Sequence, residues 1–146
     1  MHNTYISKLP TTKMDILGEL SIPKINLNKT IYNLNSNKNN VEKNVTILKG
    51  STLPDNNNSI IFLAAHSGNG NNAYFDNIKY LNKDDKVYFT YQNITYTYIV
   101  TKKREITKNG YINGNRYKNK ELVLTTCSDN PGKQLLIHCI IDKEND

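Results

Sequence analysis

The sequence is short of cysteine, of arginine and of long apolar runs, and each shortage removes a class of protein. Among 146 residues there are two cysteines, Cys127 and Cys139. Their separation is neither zinc-ligand nor Cys-x-x-Cys spacing, so neither a structural metal site nor a thioredoxin-type motif is expected. A disulfide between them stays open, although nothing in the spacing calls for one. Arginine occurs only at Arg104 and Arg116, and the net charge of +6 comes from lysines scattered from Lys8 to Lys143. That distribution reads as a solvated basic surface. Lys102-Lys103-Arg104 beside Tyr96 and Tyr98 is a place where cations and aromatic faces adjoin as a nucleic-acid binder needs. Those tyrosines alternate as in a half-buried strand, and no nucleic-acid partner is expected. The longest apolar run, Ile60 to Ala65, falls far below the roughly 20 residues of a membrane-spanning helix. The first residues contain no apolar signal-peptide core.

What is present is a repeated alternation of short Thr, Ile, Val and Tyr runs with Asn, Gly, Asp and Lys clusters, the pattern of an all-β domain. The length suits one domain with a core that needs no staples. Strands are expected at Gly18 to Ile22, Lys29 to Tyr32, Ser59 to Ala65, Lys86 to Tyr91, Ile94 to Arg104, Glu121 to Thr126 and Gln134 to Ile141. The fifth and fourth of these form a hairpin turning at Gln92-Asn93. Short helices are expected over 39–44 and over Tyr74 to Leu81. Asparagine-rich stretches at 36–40, 55–58 and 69–72 are turns, because Asn tolerates left-handed backbone angles and bonds its own backbone. Residues 1–17 are expected to be a flexible segment and 18–146 the domain.

Two strand ends carry residues able to do chemistry. Cys127 follows Leu122 to Thr126 and opens the polar loop Ser128-Asp129-Asn130-Pro131-Gly132. It is either a small hydrophobe that happens to end a strand or a thiol set at a loop edge, where reactive cysteines are exposed. Cys139 lies inside an almost wholly apolar strand and reads as core. A nucleophilic thiol needs a base, since its unperturbed pKa of about 8.5 leaves only a few per cent ionised at neutral pH. Of the three histidines, His2 is near the terminus and His138 lies within a strand, as a side chain on its second face. His66 ends the run Ile60 to Ala65 and opens Ser67-Gly68-Asn69-Gly70. It repeats the placement of Cys127, and the two make a dyad if their strands are neighbours.

At these two stretches the chain resembles the sortases. Val123-Leu124-Thr125-Thr126-Cys127 is similar to that family's Thr-Leu-x-Thr-Cys motif, matching at Leu124, Thr126 and Cys127, with Val123 in place of the first threonine. Leu63-Ala64-Ala65-His66 is similar to its apolar-Ala-Gly-His motif. "GELSIPKINLNKTIY" from Gly18, "LKGS" at 48–51 and "YFDNIKYLNKDDKVYF" at 74–89 follow in the family's order, so the likeness runs from about 18 to 141.

The resemblance implies a closed eight-stranded β-barrel with one or two short helices and a transpeptidase acting on the outer face of a Gram-positive cell through a membrane anchor outside this chain. It implies cleavage of a Leu-Pro-x-Thr-Gly-type sorting signal on surface proteins, with Cys127 as nucleophile, His66 as acid and base, and Thr126 touching substrate. The acyl group passes to an amine of a cell-wall precursor or a pilin, without a metal or organic cofactor. The family's arginine after the cysteine does not carry over: Gln134 takes its position. Leu135, Ile137, Cys139 and Ile141 would then form the inward row, and Gln134 would face a groove. Two readings stay open, a working transpeptidase and a sortase-fold protein that binds sorting-signal peptides with weak or no turnover. The short stretch between Arg104 and Glu121 and the lack of an Asp-Pro-aromatic sequence before residue 18 point to a class A-like or class D-like member. Leu9-Pro10-Thr11-Thr12-Lys13 reproduces Leu-Pro-x-Thr and is either chance or a weak pseudosubstrate.

Overall fold

β-branched and aromatic residues favour extended backbone because their side chains pack on a pleated surface, and the runs rich in them pair into one eight-stranded sheet. The computed structural model describes residues 15–108, 112–113 and 119–145. Its strands are β1 (Ile16–Ile22), β2 (Leu27–Tyr32), β3 (Thr46–Ile47), β4 (Ile60–Ala64), β5 (Lys86–Tyr91), β6 (Ile94–Thr107), β7 (Glu121–Cys127) and β8 (Lys133–Asn145). Their order across the sheet is β2-β1-β5-β6-β8-β7-β4-β3. The sheet curls until its edge strands β2 and β3 approach each other. The fold is therefore all-β, as the composition indicates, and the expected closed barrel is a nearly closed one with an unpaired seam between β2 and β3.

Local chemistry explains most of the boundaries. The β5–β6 hairpin turns at Gln92 and Asn93, whose φ values of 50° and 68° are both positive, as a two-residue turn matched to strand twist demands. At Gly18 a Cβ would collide with the carbonyl of Thr90, so β1 can lie against β5 only with glycine there. Several expectations need correction. Ile16 and Leu17, assigned to the flexible segment, belong to β1, while residues 1–14, with the Leu9 to Lys13 motif, lie outside the described residues. β3 is too short to show a period and was not expected.

The helix expected over 39–44 is a set of turns. There the Asn40 side chain accepts a hydrogen bond from the Glu42 amide at 2.9 Å, a local bond that competes with helix. Between Tyr74 and Leu81 only Ile78–Tyr80 is helical, as a single 3₁₀ turn, and a second 3₁₀ turn spans Pro23–Ile25.

The core runs through the middle of the sheet. β4 and β7 pair in parallel, an arrangement that buries both faces and so selects near-continuous apolar runs. Ile61, Leu63, Leu122, Leu124, Ile137 and Cys139 point inward, with Leu135 and Ile141 packed partly against them, which is the inward row expected for β8. The other face of β7 and β8 is covered too: Val123, Leu136 and His138 are buried. Arg104 on β6 donates from Nε to His138 Nε2 at 2.7 Å and from its guanidinium to Asn113 Oδ1 at 2.9 Å. One point of the β6–β7 connection is thereby tied over this face. Burial, aided by Arg104 and Lys102, pushes the His138 pKa down to about 4, so this histidine is neutral and structural.

Candidate active site

The parallel register of β4 and β7 pairs Leu63 with Leu124 and Ala64 with Thr125. Continued past the strand ends, it sets Ala65 beside Thr126 and His66 beside Cys127. Three hydrogen bonds carry that neighbourhood beyond the ladder. The Ala65 amide donates to the Thr125 carbonyl at 3.4 Å, the Thr126 hydroxyl donates to the Ala65 carbonyl at 2.7 Å, and the Ser67 hydroxyl donates to the Cys127 carbonyl at 3.0 Å. The Phe75 amide closes on the His66 carbonyl at 3.0 Å. Side chains directly opposite one another share a face, so His66 and Cys127 emerge together where the apolar strands end. Every other residue of β7 is buried, whereas Cys127 is exposed. Cys139, by contrast, is buried, and burial pushes its thiol pKa up.

Gln134 is the β8 residue directly opposite Cys127. Its amide nitrogen donates to the Thr125 hydroxyl at 2.8 Å, and that hydroxyl in turn donates to the Leu135 carbonyl at 3.1 Å. Thr125, Cys127 and Gln134 thus lie on one face, and an amide NH₂ has two hydrogens, of which one is committed to Thr125. Arg104 shares that face but is held by His138 and Asn113, toward the far part of β8. Lys133, which neighbours Gln134 in sequence, points across the strand.

On the other side of Cys127 a cavity of about 320 Å³ opens at the barrel end, walled by Phe75, Leu135 and Thr126 and by the polar groups Asp76, Lys79, Glu105 and Asp129. Glu105 accepts hydrogen bonds from the Ser128 hydroxyl and from Asn130 Nδ2 at 3.0 Å, and these bonds hold its carboxyl below the usual range. Lys79 pairs with Asp129 at 3.2 Å. The loop after Cys127 is thereby fixed from two sides. Among the described residues no three His, Cys, Asp or Glu side chains converge as a metal site requires.

A family model described as Sortase domain matches residues 20–139. The chain belongs to the sortase family. A Bacillus anthracis protein described as Sortase A is 26% identical over 115 residues, which are 79% of this chain and 53% of that protein. The chain thus spans about half the length of the curated relative it matches. Among solved structures, Sortase A from Corynebacterium diphtheriae superposes with a TM-score of 0.77 at 23% identity, covering 97% of this chain and 70% of its own. The pilus-related Sortase C of Group B Streptococcus gives 0.74 at 26% identity, covering 88% of this chain and 68% of its own.

The candidates gather at one end of the barrel: Cys127 and Gln134 face each other on β7 and β8, and His66 follows the end of β4. Thr126, expected to touch substrate, is buried with its hydroxyl committed to Ala65, and it reaches the site only as part of the cavity wall. Thr125 and Glu42 were missed. Strand alternation from Cys127 could have pointed to Thr125, two residues back. No sequence signal marks Glu42, whose Oε2 lies 3.1 Å from His66 Nε2 across a separation that only the folded chain closes.

Proposed function

We propose that this chain is a cysteine transpeptidase that cleaves a Leu-Pro-x-Thr-Gly-type sorting signal and transfers the acyl group to an amine. The observation that carries the reading is the parallel β4–β7 register, which sets His66 beside an exposed Cys127 with Gln134 opposite. The thiol proton passes to His66 as the sulfur attacks the threonine carbonyl. The Thr–Gly bond breaks, a thioester forms on Cys127, and His66 returns the proton to the departing glycine amine. An incoming primary amine then attacks the thioester, loses a proton to His66, and regenerates the thiol. The second hydrogen of the Gln134 amide serves the carbonyl oxygen as it becomes negative, in place of a cationic fork. Thr126 contributes to the substrate-facing wall beside Cys127. The substrates are surface proteins bearing the signal, and the acceptor is a cell-wall precursor or a pilin, on the outer face of a Gram-positive membrane with which the enzyme is associated.

Incubation with sorting-signal peptides followed by intact-protein mass spectrometry tests this. The expected result is an acyl adduct on Cys127 that disappears on adding an amine and is absent from Cys127→Ala. Peptide binding without any adduct would replace the transpeptidase with a peptide-binding module, the reading that Gln134 in the arginine position favours.

A further inference from the structure

Glu42 sits in a connection that the sequence marks only as rich in asparagine, yet that connection is built with care. Asn39 bridges Ile47 as a strand partner would, accepting from its amide at 2.8 Å and donating to its carbonyl at 3.0 Å. The Asn40 side chain holds the Glu42 amide at 2.9 Å. Asn72, in the loop that His66 opens, donates to the Glu42 carbonyl at 2.9 Å. Both polar groups of the Glu42 backbone are therefore tied down, and its carboxylate is brought to 3.1 Å from His66 Nε2. The Glu42 side chain is 70% exposed, and an ion pair so placed adds little to stability. The value of the contact is directional.

We propose that Glu42 is a positioning residue that fixes the tautomer and orientation of His66. A carboxylate only accepts hydrogen bonds, so a neutral ring held against it carries its hydrogen on Nε2. Nδ1 then carries the lone pair and is the atom that takes protons from the thiol and the incoming amine. When the imidazolium gives its Nδ1 proton to the leaving amine, the tautomer that remains is the one Glu42 selects, and no ring flip separates one half of the reaction from the other. This inference rests on the acid–base role assigned to His66 above.

The experiment is ¹⁵N-edited NMR of the histidine rings in the full chain, at a pH where His66 is neutral, alongside steady-state transfer of a sorting-signal peptide to an amine. The wild type is expected to show the Nε2–H pattern at His66. Glu42→Ala is expected to show a mixture of tautomers, with kcat lower by roughly tenfold and the peptide KM within about twofold. Glu42→Gln, whose side-chain oxygen still accepts, should keep the tautomer and most of kcat, a rescue that a merely structural role does not predict. An Nδ1–H pattern in the wild type overturns the proposal, as does a Glu42→Ala protein with spectrum and kcat unchanged. A wild type that shows the Nε2–H pattern but transfers no peptide supports the placement of the ring while sinking the transpeptidase reading.

Discussion

At the scale of single residues the proposed reaction turns on the position opposite Cys127, from which a developing oxyanion would be held. Gln134 brings neither charge nor a bidentate fork, and one of its two amide hydrogens already serves Thr125. Loss of an oxyanion donor typically costs on the order of 10²–10³ in rate. Gln134→Arg is therefore expected to raise kcat for a sorting-signal peptide, by about tenfold because the surrounding groove is not arranged for the larger group. Since Gln134 is only half-buried, the melting temperature should stay close to that of the wild type. A folded Gln134→Arg protein with unchanged kcat would mean that the oxyanion is stabilised from elsewhere. That Gln134 shares a face with Leu136 and His138 was legible from alternation along β8, and its place near Cys127 only from the resemblance. Its bond to Thr125 was not, because a side-chain contact between strands depends on their register.

At the scale of elements, the site exists because two strands remote in sequence end at the same level. Ladder pairing stops at Ala64 and Thr125, and beyond it the Thr126 hydroxyl on the Ala65 carbonyl keeps the strand ends together. Thr126→Val removes that bond while keeping the shape, leaving a buried carbonyl short of a donor at a cost of about 1–3 kcal/mol. The expected outcome is a lower denaturation midpoint with an unchanged m-value, and a lower kcat with little change in KM, because His66 loses its fixed height against Cys127. A higher KM at unaltered stability would instead give the hydroxyl a direct part in holding substrate. Strand identities were largely readable from composition: β5 matches its expected limits, β1, β2, β6, β7 and β8 are longer than expected, and β4 is shorter by a residue at each end. β3 and the loss of the 39–44 helix were unreadable, since a two-residue strand has no period and asparagine side chains there bond backbone instead of allowing helix.

At the scale of the whole molecule, a buried histidine of the scaffold makes stability depend on pH. His138 has its pKa pushed down to about 4 from an ordinary 6.5, chiefly by burial. Between those values the unfolded chain binds a proton that the native state refuses, so native stability is full above about pH 6.5 and falls as the pH drops toward 4. From pH 7 to pH 5 the loss is about 2 kcal/mol. Denaturation at both pH values should show this decline in the wild type and a much smaller one in His138→Gln, whose amide oxygen can still accept from Arg104. Equal declines in the two proteins would remove His138 as the cause. The interval from pH 7 to pH 5 lies above the acid range in which the carboxyls of Asp85 and Glu105, both held below their ordinary values, take up protons.

Composition and period alone determined that this chain forms an all-β domain, that Cys139 belongs to the core, and that His66 and Cys127 end apolar strands. Those properties depend on near neighbours in the chain: β-branched content, alternation, and polar loops directly after apolar runs. Only the tertiary structure decided that β4 and β7 are parallel neighbours in register, that Thr126 is a tie between them, that Arg104 is committed to His138, and that Glu42 lies over His66. Each of these is a contact between segments whose relative height is set by how the whole sheet curls, and no local run of residues encodes that height.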